Sequence, residues 1–208
     1  MLTKFKIKFS QTSRHRINLE NYLNKIDITG NILDIGGAQK PIVNRISSNS
    51  KILNYKILDL PIPHSMNCNE IDYKFDIQSY SFNPQEIQIK FDAIFCIEVS
   101  LYWHDPIQAL SNIVGLMSQN TKLYINFHQL YANQKPISTD MLRYSYNWID
   151  EICKMFNLRI ISTEISQLSM LSSLALKFVY KIEKMRLNKE YIHSKSNSFF
   201  LVLEIAND

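Results

Sequence analysis

The segment Asn31-Ile32-Leu33-Asp34-Ile35-Gly36-Gly37-Ala38 decides how the rest of the chain is read. Ile32, Leu33 and Ile35 have the character of a short buried strand, and the two glycines then break it. Glycine is scarce here: of four in the chain, Gly30, Gly36 and Gly37 cluster at this one place. A chain that avoids glycine elsewhere uses it here for backbone geometry. The segment after the turn, about 38–46, reads as a helix. A strand, a tight turn of small residues and a helix N-terminus bring free N–H groups close to a ligand, and a carboxylate or phosphate is the natural guest. Tight turns in other α/β proteins look similar, so the segment sets the fold class before it sets a function.

Outward from this turn, helical and strand patterns alternate. A helix over 14–27 carries Leu19, Tyr22, Leu23 and Ile26 on one face. Strands are expected at 55–60, 72–76, 91–97, 121–127, 158–163 and 198–205. Asp105 and Pro106 open a further helix, Asp as N-cap and Pro in the first turn. Its apolar stripe is Ile107, Leu110, Val114 and Met117, and Gly115 inside it reads as a packing residue. Another helix spans about 145–156. This alternation implies a mostly parallel sheet with helices on both faces, and the two closing strands fit one antiparallel edge. Ligands of such sheets sit at the carboxyl ends of the strands, where strand order reverses.

Bulk properties bound the answer. The 208 residues suit a single domain, 1–208, with an N-terminal helical segment 1–29 and a helical insertion at about 167–192. With a net charge of +4, the surface is only mildly basic, which argues against a dedicated nucleic-acid binder. Three cysteines lack disulfide or zinc spacing, and no signal peptide or membrane span is legible. A cytoplasmic protein is expected. The insertion carries an apolar stripe, Leu171, Leu174, Phe178, Ile182 and Met185, beside Lys177, Lys181, Lys184, Arg186 and Lys189. It reads as a core helix with a solvated face, or as a lid, dimer contact or peripheral membrane contact over about 168–190. The oligomeric state is not legible.

Two acidic residues follow the pattern set by the glycine turn. Asp59, with Leu60, ends the second strand, where an acidic side chain commonly holds ribose hydroxyls. Asp76, with Ile77, ends the third. Each alone is an ordinary loop residue. Together with Gly36 and Gly37 they describe a groove for an adenosine bearing a small charged tail.

The fourth strand sharpens the reading. Phe91-Asp92-Ala93-Ile94-Phe95-Cys96-Ile97-Glu98-Val99-Ser100-Leu101-Tyr102-Trp103-His104-Asp105-Pro106 resembles motif IV of the class I, S-adenosylmethionine-dependent methyltransferases of small molecules, in particular the ubiquinone-type O-methyltransferases. The resemblance runs from about Gly30 to Phe127 and more weakly to the end. It implies a three-layer Rossmann-like sandwich with a seven-stranded, mostly parallel sheet and an antiparallel edge strand. It also implies S-adenosyl-L-methionine as cofactor. Asp34, Gly36 and Gly37 would then line its methionine part, Asp59 would bind the ribose, Asp76 and Ile77 would flank the adenine, and Ile97 and Glu98 would close the pocket near the sulfonium. The family loop D-x-G-x-G-x-G departs here at Ala38 and Lys40, and Lys40 either reaches toward the methionine carboxylate or faces water. Ser100-Leu101-Tyr102 stands where many relatives have L-E-H. Asn157 stands where the family usually has a glycine.

The expected function is methyl transfer to an oxygen of a small-molecule acceptor: a sugar, a lipid-linked precursor or a quinone-like ring. The alternative is a catalytically inactive methyltransferase-like binding or scaffold protein. His104 and His128, each just beyond a strand's carboxyl end, are the candidate bases. Tyr102 and Trp103 are candidates for an aromatic acceptor wall, and Arg143 for a substrate contact. Glu98, His104, Asp105 and His128 lack the spacing of a metal motif, so no metal is expected. A nicotinamide enzyme is disfavoured because G-x-G-x-x-G is absent. Base-amino methylation is disfavoured because Ile97-Glu98-Val99-Ser100 replaces N/D-P-P-Y.

Overall fold

A computed structural model of the chain describes residues 14–61, 69–129, 141–167 and 196–206. The insertion expected at about 167–192, with its basic helix, falls outside the described residues except for its first position. The elements in order are α1 (Arg14–Leu23), β1 (Thr29–Ile35), β2 (Lys51–Asp59), β3 (Tyr73–Lys74), β4 (Ala93–Cys96), α2 (Pro106–Gly115), β5 (Lys122–His128), α3 (Tyr146–Met155), β6 (Leu158–Gln167) and β7 (Ser196–Ile205).

The strands form one seven-stranded sheet in the order β3-β2-β1-β4-β5-β7-β6. All pairs from β3 to β5 are parallel, and β7 runs antiparallel to both β5 and β6. The order reverses between β1 and β4, so a crevice opens beyond the carboxyl ends of these two strands.

Period-2 alternation divides the sheet's side chains between two cores. Leu33, Ile35, Ile94, Cys96, Leu123, Ile125 and Phe127 face α2 and α3, whose Ala109, Leu110, Ile113, Ile149, Ile152 and Cys153 complete that layer. Ile32, Phe95, Tyr124, Phe200 and Val202 face the opposite way, where Leu19, Tyr22 and Leu23 of α1 cover them. Three layers result, with helices on both faces. Among the described residues no helix is long and apolar enough to cross a membrane.

Local signals explain the helix ends. Asp105 caps α2 by accepting from Gln108 N at 3.0 Å, with Pro106 next. Gly115 ends that helix, and a Cβ there would meet the Pro84 ring at 2.8 Å, so its role is packing. Ser145 caps α3 by accepting from Trp148 N. Asn157 turns the chain from α3 into β6 in the left-handed region at φ 50°, a conformation Asn tolerates nearly as well as the glycine it replaces.

One expectation is overturned. No α-helix follows β1: residues 38–46 contain only a 3₁₀ turn over Ile42–Asn44. Pro41 is the physical reason. It is extended at ψ 140° and it biases the residue before it away from helical geometry. The N–H of Ile42 goes to the Asp34 carboxylate rather than into a helical ladder. The ligand turn therefore lacks a helix dipole behind it, and the free N–H groups of a helix N-terminus do not contribute.

Asn112 ties α2 to the segment after β3. Its buried side-chain amide donates to Ile77 O at 2.8 Å and Ser79 O at 2.9 Å. Replacing Asn112 with Leu orphans both carbonyls, and we expect a loss of about 2–4 kcal/mol. The readout is a lower urea midpoint at unchanged slope. A loss below about 0.5 kcal/mol would contradict this role.

Candidate functional site

A cavity of about 540 Å³ opens beyond the carboxyl ends of β1, β2, β3 and β4. Gly36, Asp59, Leu60, Asp76, Ile77, Ile97, Glu98, Tyr102 and Trp103, all singled out from sequence, line it. Asp34, Gly37, His104, His128 and Arg143 are not part of its wall. Arg16, Lys40 and Arg45 add a cationic side that sequence reasoning had not assembled.

The turn after β1 is built by exclusion of side chains. Gly36 has φ 76°, and a Cβ there would lie 2.4 Å from Val99 Cγ2. Its N–H donates to Leu58 O on β2 at 2.8 Å. A Cβ on Gly37 would meet the Asp34 carboxylate at 2.2 Å. Asp34 itself is 2% exposed and points toward the α1 face, away from the cavity. It accepts from Ile42 N at 2.8 Å and from the Tyr55 hydroxyl. Burial pushes its carboxyl up to about 6 against those two bonds. Asp34 therefore holds the loop in shape. Asp59 does the same from the cavity side: it accepts from Ala38 N at 3.1 Å and Leu60 N at 2.8 Å.

The cationic side is organised by Glu20 on α1. Arg45 reaches both of its carboxylate oxygens, at 3.0 and 3.1 Å, and Lys40 bonds one at 2.7 Å. Partial burial pushes the Glu20 carboxyl up, but the bonds from Arg45 and Lys40 outweigh it and hold the group below the usual range. Lys40, for which two orientations were open, makes an ion pair with α1.

At the end of β4 the backbone is strained. Glu98 sits at φ 63°, in the left-handed region. Asn126 on β5 stabilises it at both ends: its Oδ1 accepts from Glu98 N at 2.7 Å, and its Nδ2 donates to Glu98 Oε1 at 2.6 Å. His15 Nε2 and His128 Nε2 each approach the same Oε1 at 3.1 Å. Behind His128, Ser198 Oγ lies 2.7 Å from Nδ1. Burial pushes the Glu98 carboxyl up, yet its contacts with His128 and His15 prevail and hold it well below the usual range.

His128 is thus wholly buried as the last residue of β5 and touches Glu98 in the cavity wall. His104 is exposed; its backbone N–H donates to Gln78 Oε1 at 2.6 Å, as does that of Asp105 at 3.0 Å. Gln78 N in turn donates to Asp76 at 2.9 Å, which fixes the turn after β3 against the start of α2. Arg143 Nη1 donates to Leu142 O, beside the buried Tyr144, whose hydroxyl donates to Ser100 O at 2.6 Å. Trp103 is 1% exposed, and its indole N–H has no acceptor among the described residues.

Sequence reasoning missed His15 and Asn126. Signals existed for both. His15 lies four residues before Leu19, on the apolar face of α1, and Asn126 interrupts an otherwise apolar strand. Polar residues in such positions are buried with partners.

The buried Asp34 makes a pH prediction. Its carboxyl stands near 6 in the folded chain and near 3.9 when unfolded. The folded state thus holds a proton that the unfolded state has released. The resulting stability is fully present below about pH 4 and is lost as pH rises through about 6. At about 1.4 kcal/mol per unit, wild type should lose roughly 2–3 kcal/mol relative to Asp34→Asn between pH 4 and pH 7. Parallel stability curves for the two proteins would contradict the buried-carboxyl account.

No family model matches the sequence, and no curated protein matches it. Solved structures do. A chain described as a methyltransferase, in complex with a methyltransferase activator from Haloferax volcanii, matches with a TM-score of 0.62 at 14% identity, over 93% of this chain and 90% of that one. A SAM-dependent methyltransferase from Archaeoglobus fulgidus matches with a TM-score of 0.55 at 14% identity, over 92% of each chain. A Haemonchus contortus phosphoethanolamine N-methyltransferase, solved with S-adenosyl-L-methionine, matches with a TM-score of 0.55 at 16% identity, over 92% of this chain and 52% of that one. The strand order, the antiparallel β7 and these likenesses agree: this chain has the class I methyltransferase fold.

Proposed function

We propose that the chain binds S-adenosyl-L-methionine in the cavity beyond β1–β4 and transfers its methyl group to an oxygen of a small-molecule acceptor. The carrying observation is that Gly36, Asp59, Asp76 with Ile77, and Glu98, from four successive strand ends, line one cavity. The residues suit the cofactor part by part. The cradle at Gly36 has no room for a side chain. Each oxygen of Asp59 accepts one backbone N–H and keeps a lone pair for a ribose hydroxyl. Leu60 and Ile77 offer apolar surface to an adenine, and Asp76 an acceptor at its edge. Arg16, Lys40 and Arg45 give the methionine carboxylate a cationic side.

When bound, the cofactor supplies an electrophilic methyl on a sulfonium. The protein's task is to hold an acceptor in line with it and to exclude competing water. Glu98, Tyr102 and Trp103 line the part of the cavity beyond β4, where an acceptor would lie. A sugar, a lipid-linked precursor or a quinone-like ring is the class we favour. The buried free thiols Cys96 and Cys153 suit a reducing, cytoplasmic setting.

A second reading has its own support: neither His104 nor His128 lines the cavity. A cofactor-binding protein without turnover fits that fact. It predicts bound cofactor that is never consumed with acceptors of any of the three classes, followed by mass spectrometry.

Isothermal titration with S-adenosylhomocysteine tests the main reading. We expect saturable binding by wild type and a weakening of about tenfold or more in Asp59→Ala, the scale of lost charge-assisted hydrogen bonds. No wild-type binding at millimolar ligand would overturn the reading. Equal affinity in the variant would overturn the role of Asp59.

A further inference from the structure

We infer that His15, Glu98 and His128 form a binding site for a divalent first-row transition metal in the wall of the cavity. Three ligand atoms from three distant parts of the chain, α1, the end of β4 and the end of β5, lie within 4.8 Å of one another. Two imidazoles and one carboxylate are a donor set suited to zinc, manganese, cobalt or iron(II). Both Nε2 atoms stand 3.1 Å from Glu98 Oε1. With metal–ligand bonds of about 2.1 Å, neighbouring ligands lie about 3.0 Å apart in an octahedron and about 3.4 Å apart in a tetrahedron. The two histidine–glutamate separations lie at this scale.

Ser198 Oγ lies 2.7 Å from His128 Nδ1 and 3.5 Å from His15 Nδ1. Contacts of this kind at Nδ1 orient histidines that bind an ion through Nε2. Asn126 holds Glu98 in its left-handed conformation, so the carboxylate is aimed by strain that something must justify. Arg16 lies 3.9 Å from the other carboxylate oxygen, Oε2, and leaves the Oε1 side to the ion.

Glu98 and Arg16 line the cavity, whereas His15 and His128 are buried behind it. An ion held there has protein ligands behind it and open positions in front. Its use rests on the methyl-transfer reading. An acceptor hydroxyl bound to the ion releases its proton to solvent. The oxygen lone pair then forms the bond to the methyl carbon while the carbon–sulfur bond breaks and its electrons return to sulfur. The ion supplies the acceptor activation that neither His104 nor His128 is placed to give directly.

The test is titration of the full chain, stripped with chelator, with Zn²⁺ and Co²⁺. We expect one equivalent of either ion to bind and Co²⁺ to develop visible d–d absorption. The near-isosteric Glu98→Gln and His15→Gln should each weaken binding by about 10- to 100-fold, on the scale of lost ligands and their orienting partners. Absence of stoichiometric binding by wild type, or wild-type affinity in both variants, would overturn the site. The Co²⁺ spectrum of wild type decides the matter even if a variant fails to fold. Titration with S-adenosylhomocysteine reads the cofactor part separately: metal binding without S-adenosylhomocysteine binding keeps the site and removes the methyl-transfer reading, and the reverse removes the site alone.

Discussion

The buried carboxylate of Asp34 is the contact on which the site depends. It stands at the end of β1, takes the N–H of Ile42 and the hydroxyl of Tyr55 on β2, and fills the space that a side chain on Gly37 would need. In doing so it fixes a loop that has no helix to hold it. That loop presses Gly36 against Val99 beyond β4 and hands the N–H of Ala38 to Asp59 at the end of β2. Three neighbouring strand ends are thereby held in one geometry. The cost is a carboxyl kept in an environment that disfavours its charge, a common circumstance where a site is shaped by polar groups in a dry interior.

A second polar group of contacts balances the first on the same face of the sheet. Asn126, His128 and Ser198 replace apolar side chains on β5 and β7, and α1 closes over them with His15. Residues of this kind weaken a core unless each polar atom is matched. Their common target is Glu98, held in a conformation that a non-glycine residue rarely adopts. Strain, burial and convergence of imidazoles on one oxygen coincide at the cavity wall. The α1 helix is therefore part of the site as well as of the core: it contributes His15 and Arg16, and its Glu20 gathers Lys40 and Arg45.

Much of this was legible in the amino-acid order. The strands at β1, β4 and β5 were clear because buried apolar runs flanked by turn residues have few other readings. Asp105 and Pro106 marked the start of α2 with local chemistry that tertiary packing did not override. Gly36, Asp59 and Asp76 were marked by their places at strand ends, and Glu98 by the resemblance of Phe91–Pro106 to motif IV. The helix expected after β1 is absent because Pro41 and the Asp34 carboxylate shape the segment instead. Asp34 and Glu98 looked alike on paper, each an acidic residue after an apolar strand. Only the alternation of the strand and the turn that follows it send one inward and the other to the cavity. His15 escaped because its partners are 83 and 113 positions away, counted from residue 15 to residues 98 and 128. Local pattern has no access to such contacts.

The most direct test of the account is a crystal structure of the full chain grown with S-adenosylhomocysteine. The account predicts the ribose hydroxyls on Asp59, the adenine between Leu60 and Ile77 with Asp76 at its edge, the amino-acid part over Gly36, and the sulfur facing Glu98. Ligand bound elsewhere on the molecule, with the cavity beyond β1–β4 filled only by water, would contradict it.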